Sequence, residues 1–470
     1  MDLLRFALLS ALLVAFSTAY PGKWNGCHVE ELPPSWILEF RSNVSDNALS
    51  NFKHHFRKRA ENASVQITHE FNLGPGLMRG FTLDGPADSI MALSDSQWVA
   101  NIVPNIKVHR PPPDDDDGDD DEDEDEDEDD DITEAKSIHP HLARREETYD
   151  LQKKYKSWNL EAISGNDSLK YHCPDGCGKG TWIYIIDDGI DEGHPEFKGR
   201  IEHVEHIHKG PYHHHPKRNG KHGTAMAGIA AGSTMGVARN ARIVAVNVFG
   251  KDNIVYLDLF LQAMDWVMND IRTRNRFGRA ILSLGQWGCR AEGIDGAPAT
   301  RAVADAVKAG VFVAAANGYK VGDTATVWPG NAKSVCTVGE YWQGRQWDGE
   351  EAGDPDIDIF APGSRIRTSQ PGSVGSYNRY HKIGGSDAAA AHVAGVAATL
   401  VHQIKLADMC ETLQCWGNMA HPKWFPNTAN RLLVNRPTAD LDLGDQGMWD
   451  RPECQPWMNR TGRKRPSPYK

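Results

Sequence analysis

Trp182-Ile183-Tyr184-Ile185-Ile186-Asp187-Asp188-Gly189 is the stretch that decides the fold. Five apolar residues run without alternation and stop at two aspartates and a glycine. A strand with one wet face alternates apolar and polar residues, so an unbroken run fits a strand covered on both faces. Ile243 to Phe249 and Ala280 to Leu284 read the same way, and so does Val311 to Ala316. Between them, apolar residues recur at helical spacing from Tyr256 to Ile271. A second helix is expected over Ala299 to Ala309, with Pro298 as its start signal. Strands alternating with helices predict an α/β fold: a parallel sheet covered by helices on both faces, with right-handed connections. Reactive groups then belong at the carboxyl ends of the strands.

Three segments carry residue types suited to chemistry. Ile186-Asp187-Asp188-Gly189-Ile190 follows the first buried strand. His222-Gly223-Thr224-Ala225-Met226-Ala227-Gly228 opens a helix of small residues. Gly384-Gly385-Ser386-Asp387 leads into Ala388-Ala389-Ala390-Ala391-His392-Val393-Ala394-Gly395, a second such helix. An aspartate after a strand is common in turns and a lone histidine is common in cores, so each segment is weak alone. In this order they resemble the subtilisin-like serine proteases, particularly the secreted proteinase-K-type branch, over about residues 157–410.

The family's D-[ST]-G or D-D-G pattern falls on Asp187-Asp188-Gly189, and His194-Pro195-Glu196-Phe197 also fits it. Its H-G-T-H-x-A-G pattern starts at His222, with Ala225 in place of the second histidine. Ser283-Leu284-Gly285 is similar to the substrate-binding edge strand. Val313-Ala314-Ala315-Ala316-Asn317 is similar to the oxyanion segment, with Ala316 where the family has glycine. The resemblance implies that Asp187 orients the imidazole, that His222 acts as base, and that Asn317 holds the oxyanion with a backbone amide at residue 387.

The nucleophile departs from the pattern. The family motif G-T-S-M-A-T-P-H-V-A-G, anchored on His392-Val393-Ala394-Gly395, places its serine at Asp387, and no insertion is needed. Ser386 is one residue early, a turn of about 100° on a helix. A carboxylate is a poor nucleophile toward amides, its acyl product would be an anhydride, and it opposes an oxyanion. An aspartate near a helix start also serves as an ordinary cap. Ala225, Ala316 and Ala391 are further departures. The expectation is a protease homologue that binds a peptide or protein ligand in its cleft without cutting it. The alternatives are an active serine endopeptidase performing extracellular proteolysis and a His-rich metal-binding protein.

The rest of the chain sets the context. Arg5, the apolar stretch Phe6 to Phe16 and Ser17-Thr18-Ala19 read as a secretory signal over 1–19. No apolar run of 18 or more residues suggests a membrane span. In a secreted, extracellular chain the eight cysteines are expected to pair, with Cys173 and Cys177 able to close a small loop. Asn43, Asn62, Asn166 and Asn459 sit in glycosylation sequons. A small α+β unit is expected over 34–108, with strands at Trp36 to Phe40, at Phe81 to Leu83 and from Ile102, and a helix over Ala48 to Arg59. The family resemblance makes it a propeptide-like inhibitor domain.

Between Asp114 and Asp131, 17 of 18 residues are acidic, and removing them takes the formal net charge from −13 to +4. That run is expected to be a solvated linker within 109–150. The near-neutral remainder shows no basic face for nucleic acid. The main domain is placed over 151–435, with a tail over 436–470. Leu142-Ala143-Arg144-Arg145 offers a dibasic site for a kexin-type processing protease. His203, His206, His208, His213, His214 and His215 crowd the approach to His222 and are expected to form an exposed loop. No metal and no cofactor is expected.

Overall fold

The computed structural model describes residues 28–109, 147–150, 157–164, 170–174, 176–207, 220–249, 254–285, 288–289, 297–318, 327–342, 356–372, 380–419 and 431–435. The acidic run, the dibasic site, His208 and His213 to His215 lie outside them.

The amino-terminal unit contains β1 (His28–Phe40), α1 (Asp46–Ala63), β2 (Gln66–Asn72), β3 (Arg79–Asp84), α2 (Ala87–Met91) and β4 (Val99–His109). The expected strands at Trp36 and Ile102 are each part of a longer strand. The helix starts at Asp46 because the Ser45 side chain accepts from the Ala48 N–H as its cap. β2 was not foreseen; its burial alternates, with Ile67, His69 and Phe71 turned inward, but only Phe71 is fully buried and a histidine takes one of the inward places. Phe40, Phe52, Phe56 and Phe81 pack into this unit's own core.

The main domain follows. β5 (Glu147–Asp150) pairs antiparallel with β6 (Lys170–Cys173), on either side of α3 (Trp158–Ile163). Then come β7 (Trp182–Asp187), β8 (Ile201–His206), α4 (Lys221–Ala231), β9 (Arg242–Asn247), β10 (Ile254–Tyr256), α5 (Leu257–Thr273), β11 (Ala280–Leu284), β12 (Gly288–Cys289), α6 (Ala297–Lys308), β13 (Phe312–Ala316) and β14 (Val327–Trp328). The chain continues through β15 (Cys336–Tyr341), β16 (Ile359–Pro362), β17 (Ile366–Ser369), β18 (Tyr380–Ile383), α7 (Ser386–Leu400), α8 (Met409–Trp416), β19 (Asn418–Met419) and β20 (Arg431–Leu432).

Eight strands form one parallel sheet in the order β20-β16-β15-β13-β11-β7-β9-β8, with β19 added antiparallel at one end. β7 lies inside it, in register with β9 and β11. Its unbroken apolar run is explained by the two layers it separates. Ile183 and Ile185 face α4 and α7, while Tyr184 and Ile186 face α5 and α6. The pattern of α4 and α7 is equally direct. Both are made of small residues because they run close to other backbone; a Cβ on Gly395 would lie 2.8 Å from the Ala230 carbonyl oxygen.

The amino-terminal unit rests on α5 and α6 and shares their core: Phe71, Leu73, Val103 and Ile106 pack in one cluster with Phe260, Met264 and Val303. β4 pairs antiparallel with β10, so a strand of the main domain completes the small unit's five-stranded sheet. Polar contacts fix the seat. Asp265 Oδ1 accepts the Asn72 N–H at 2.9 Å, Asp305 Oδ2 accepts the Met78 N–H at 2.5 Å, and Arg301 forms a two-pronged pair with Glu39.

The histidine-rich approach differs from the expected loop in its first part. His203 and His206 belong to β8, the edge of the sheet, and His203 stacks on Trp266 with ring centroids 5.2 Å apart. Cys173–Cys177 forms the expected small loop, and Cys336–Cys410 forms a second disulfide.

Candidate active site

Asp187 is the last residue of β7, at the carboxyl end of the sheet. The chain turns there through Gly189, whose φ of 110° suits glycine. Asp188 points back across the turn. Its Oδ1 accepts the Gly223 N–H at 2.7 Å and its Oδ2 the His222 N–H at 3.4 Å. These amides open α4, whose cap position is Gly220, without a side-chain acceptor of its own. Asp188 therefore supplies the cap from another element. Sequence reasoning treated it only as part of a motif; the signal was an acidic residue paired with a helix start that has no Ser, Thr or Asp.

This clamp sets His222 beside Asp187. His222 Nδ1 lies 2.7 Å from Asp187 Oδ2, and the Asp188 N–H donates to Asp187 Oδ1 at 2.8 Å. An ionised carboxylate only accepts, so Nδ1 carries the proton and donates it. Gly223 makes the approach feasible: a Cβ there would lie 2.1 Å from the Gly189 carbonyl oxygen and 3.1 Å from Asp187 Cβ. Thr224 Oγ1 accepts the Asp191 N–H at 2.8 Å and ties the next loop to the same helix.

Asp387 comes from α7. Gly385, at φ 110°, is the cap position, and Asp387 is the second residue of the helix. Its carboxylate turns toward the imidazole: Oδ2 lies 3.3 Å from His222 Nε2. The imidazole thus stands between two carboxylates, and all three side chains are nearly buried, at 4, 8 and 13% exposure for Asp187, His222 and Asp387. Ser386 is directed elsewhere. It is buried, and its Oγ accepts the Gly318 N–H at 3.2 Å.

The remaining residues singled out from sequence line the same end of the sheet. Asn317 follows the last residue of β13, is fully buried, and donates its backbone N–H to the Val338 carbonyl at 3.0 Å. Ser283 and Leu284 end β11, which is paired on both sides by β7 and β13, and Gly285 follows at the carboxyl edge. They lie inside the sheet, and β10 is the strand that pairs with the amino-terminal unit. His392 of the third segment is not near this chemistry by contact: its Nδ1 donates to the Ala388 carbonyl and its Nε2 accepts from Asn159 Nδ2, both at 2.8 Å. Full burial pushes its pKa down to about 4, so it is a neutral core histidine. Among the described residues, Cys336, Asp358 and Cys410 are the ones grouped closely enough to suggest metal ligands, and the two sulfurs are joined as a disulfide.

Comparisons with known proteins point to one family. The model of the Subtilase family matches residues 178–439. Subtilisin-like protease 3 of Trichophyton tonsurans is 34% identical over 284 residues, covering 59% of this chain and 68% of the relative. Subtilisin-like protease 1 of Trichophyton rubrum is 27% identical over 450 residues, covering 92% of this chain and 78% of the relative. A crystal structure of a cold adapted subtilisin-like serine proteinase superposes with a TM-score of 0.50 at 26% identity, over 59% of this chain and 98% of that one. The parallel sheet preceded by an antiparallel α+β unit is therefore the subtilisin fold, and, since the family match spans more than half of its length, the chain belongs to the subtilase family.

Proposed function

We propose that this subtilase homologue holds peptide or protein segments in its cleft without hydrolysing them. The observation that carries the reading is Asp387 Oδ2 at 3.3 Å from His222 Nε2. In acyl transfer by this family the atom facing that nitrogen is a serine hydroxyl, which gives its proton to the imidazole as it attacks. An ionised carboxylate has no proton to give. It also adds negative charge where the tetrahedral oxyanion needs hydrogen-bond donors. Removal of the serine from such a triad costs on the order of 10⁶ in kcat.

Asp187 and His222 then act as a positioning pair without a reaction to serve, and Asn317 and the Ser283-Leu284-Gly285 segment retain a role in seating a peptide. The amino-terminal unit is read as a propeptide-like domain kept in place on α5, α6 and β10. Secretion follows from the signal-like start, and the disulfides suit an oxidising compartment. Without a serine the chain does not cut itself, and separation of the two units falls to a kexin-type protease acting at Arg144-Arg145.

A working endopeptidase is the second reading, favoured by the intact 2.7 Å contact between Asp187 and His222. A fluorogenic peptide assay together with a fluorophosphonate probe separates the two. The binding reading expects neither turnover nor labelling of the wild-type chain.

A further inference from the structure

We propose that Asn43 of the amino-terminal unit carries an N-linked oligosaccharide, attached before that unit folds. The inference rests on the reading of the chain as secreted, and it is independent of the cleft and of the side chain at position 387.

Four Asn-x-Ser/Thr sequences occur in the chain. Asn166 and Asn459 lie outside the described residues, and so does the side chain of Asn62. Asn43-Val44-Ser45 is described throughout. Asn43 stands in the turn between β1 and α1 and is exposed. Among the described residues, none bonds to its side-chain amide. A sugar on that nitrogen therefore displaces no contact of the folded unit.

The turn also lies in the outer layer. Side chains of β1 enter two cores on opposite faces of the sheet. Ile37 packs with Phe260 and Met264 of the main domain, whereas Leu38 and Phe40 pack with Val44, Phe52 and Phe56. Asn43 precedes Val44 on the side of α1, away from α5 and α6. An oligosaccharide there stands in solvent and leaves the seat of the unit clear.

The other two residues of the sequence set the time of attachment. Val44 is buried; its N–H donates to the Arg41 carbonyl at 3.1 Å, and its own carbonyl accepts from Arg79 Nη1 at 3.2 Å. Ser45 caps α1, with Oγ accepting the Ala48 N–H at 3.2 Å. A transferase reads asparagine, middle residue and hydroxyl together. In the folded unit the middle residue is packed and the hydroxyl is committed, so transfer belongs to the stage before α1 is capped. In that step Asn43 Nδ2 bonds the anomeric carbon of a lipid-pyrophosphate-linked oligosaccharide. The bond from that carbon to the phosphate oxygen breaks, the lipid pyrophosphate leaves with the electron pair, and Nδ2 gives up one proton.

The test is peptide mapping by mass spectrometry on the full wild-type chain expressed in a eukaryotic host. The peptide holding Asn43 is expected to appear only after peptide N-glycosidase treatment, with Asn43 converted to an aspartate that takes up heavy oxygen from labelled water. This readout needs no variant to fold. Asn43→Gln and Ser45→Asp are each expected to abolish the sugar, the second while keeping a good helix cap, and Ser45→Thr is expected to retain it. Timing is read with folded chain made while the transferase is inhibited. Purified transferase and lipid-linked donor are expected to modify it roughly tenfold more slowly than a synthetic peptide of residues 40–48, because the folded chain must first open locally. A bare Asn43 in chain collected from the medium overturns the proposal and leaves the secretion reading standing. Chain retained in the cell and bare at all four sequences overturns both. Equal acceptance by folded chain and peptide overturns the order of attachment and folding.

Discussion

Asp387 presents Oδ2 to His222 Nε2 at 3.3 Å, across the space between the amino-terminal turns of two packed helices. On the proposed reading, a serine at this position turns its hydroxyl toward the same nitrogen. On that reading the helix scaffold delivers the side chain at position 387 to the imidazole, and that side chain decides the chemistry.

The delivery depends on Gly223. Its missing Cβ is what lets α4 start against the turn after Asp187. Gly223→Ala puts a methyl 2.1 Å from a backbone oxygen that cannot swing away. The expected cost is about 3 kcal/mol, read as a fall in Tm of about 5–10 °C by differential scanning calorimetry.

His392 makes the fold acid-sensitive. Its pKa is lowered from 6.5 to about 4 by burial, so below about pH 6.5 the unfolded chain takes up a proton that the folded chain refuses. The contribution is intact above pH 6.5 and is lost as pH falls toward 4, by on the order of 2–3 kcal/mol. His392→Gln is expected to flatten this part of the stability profile in urea unfolding at pH 7, 5.5 and 4.5.

Asp258 works in the opposite direction. It opens α5 under the amino-terminal unit, where the Asn105 side chain accepts its N–H at 3.2 Å. Burial raises its pKa from 3.8 to about 6. A raised carboxyl stabilises the folded chain fully below about pH 3.8 and loses that contribution as pH rises through 6. Asp258→Asn removes the titration, so it is expected to stabilise the full chain at pH 8 by about 1–3 kcal/mol relative to wild type and to do nothing at pH 4. The check is urea unfolding of both proteins at the two pH values.

The sheet was legible in the sequence because its strands are covered on both faces. Trp182 to Ile186 and Ala280 to Leu284 fell where the apolar runs said, and α5 and α6 began within two residues of their expected starts. The amino-terminal unit was less legible. β1 and β4 were read as short pieces because Pro33, Pro34 and Pro104 interrupt the apolar pattern, yet the antiparallel pair runs on through a bulge between Glu31 and Trp36. β10 could not be seen at all: three residues before a helix become a strand only because β4 is there to pair with. At the site, Asp187, His222 and Asp387 were named in advance and the structure brings them together. Asp188 and Ser386 were not assigned their contacts, since a cap supplied from the turn after β7 and an amide from another loop lie far from them in sequence; for Asp188 the one hint was a helix start without an acceptor of its own.

The central claim is that position 387 alone separates this cleft from a cutting one. Its most direct test compares wild type with Asp387→Ser in one assay, fluorophosphonate labelling alongside fluorogenic peptide hydrolysis. Ser at the second helical position forgoes the favourable dipole interaction of a carboxylate, so a cost under about 1 kcal/mol is expected and both proteins should be folded. The account predicts an unlabelled, inert wild type and a variant that is labelled and hydrolyses peptide well above it. Labelling and turnover by the wild-type chain itself would contradict the account.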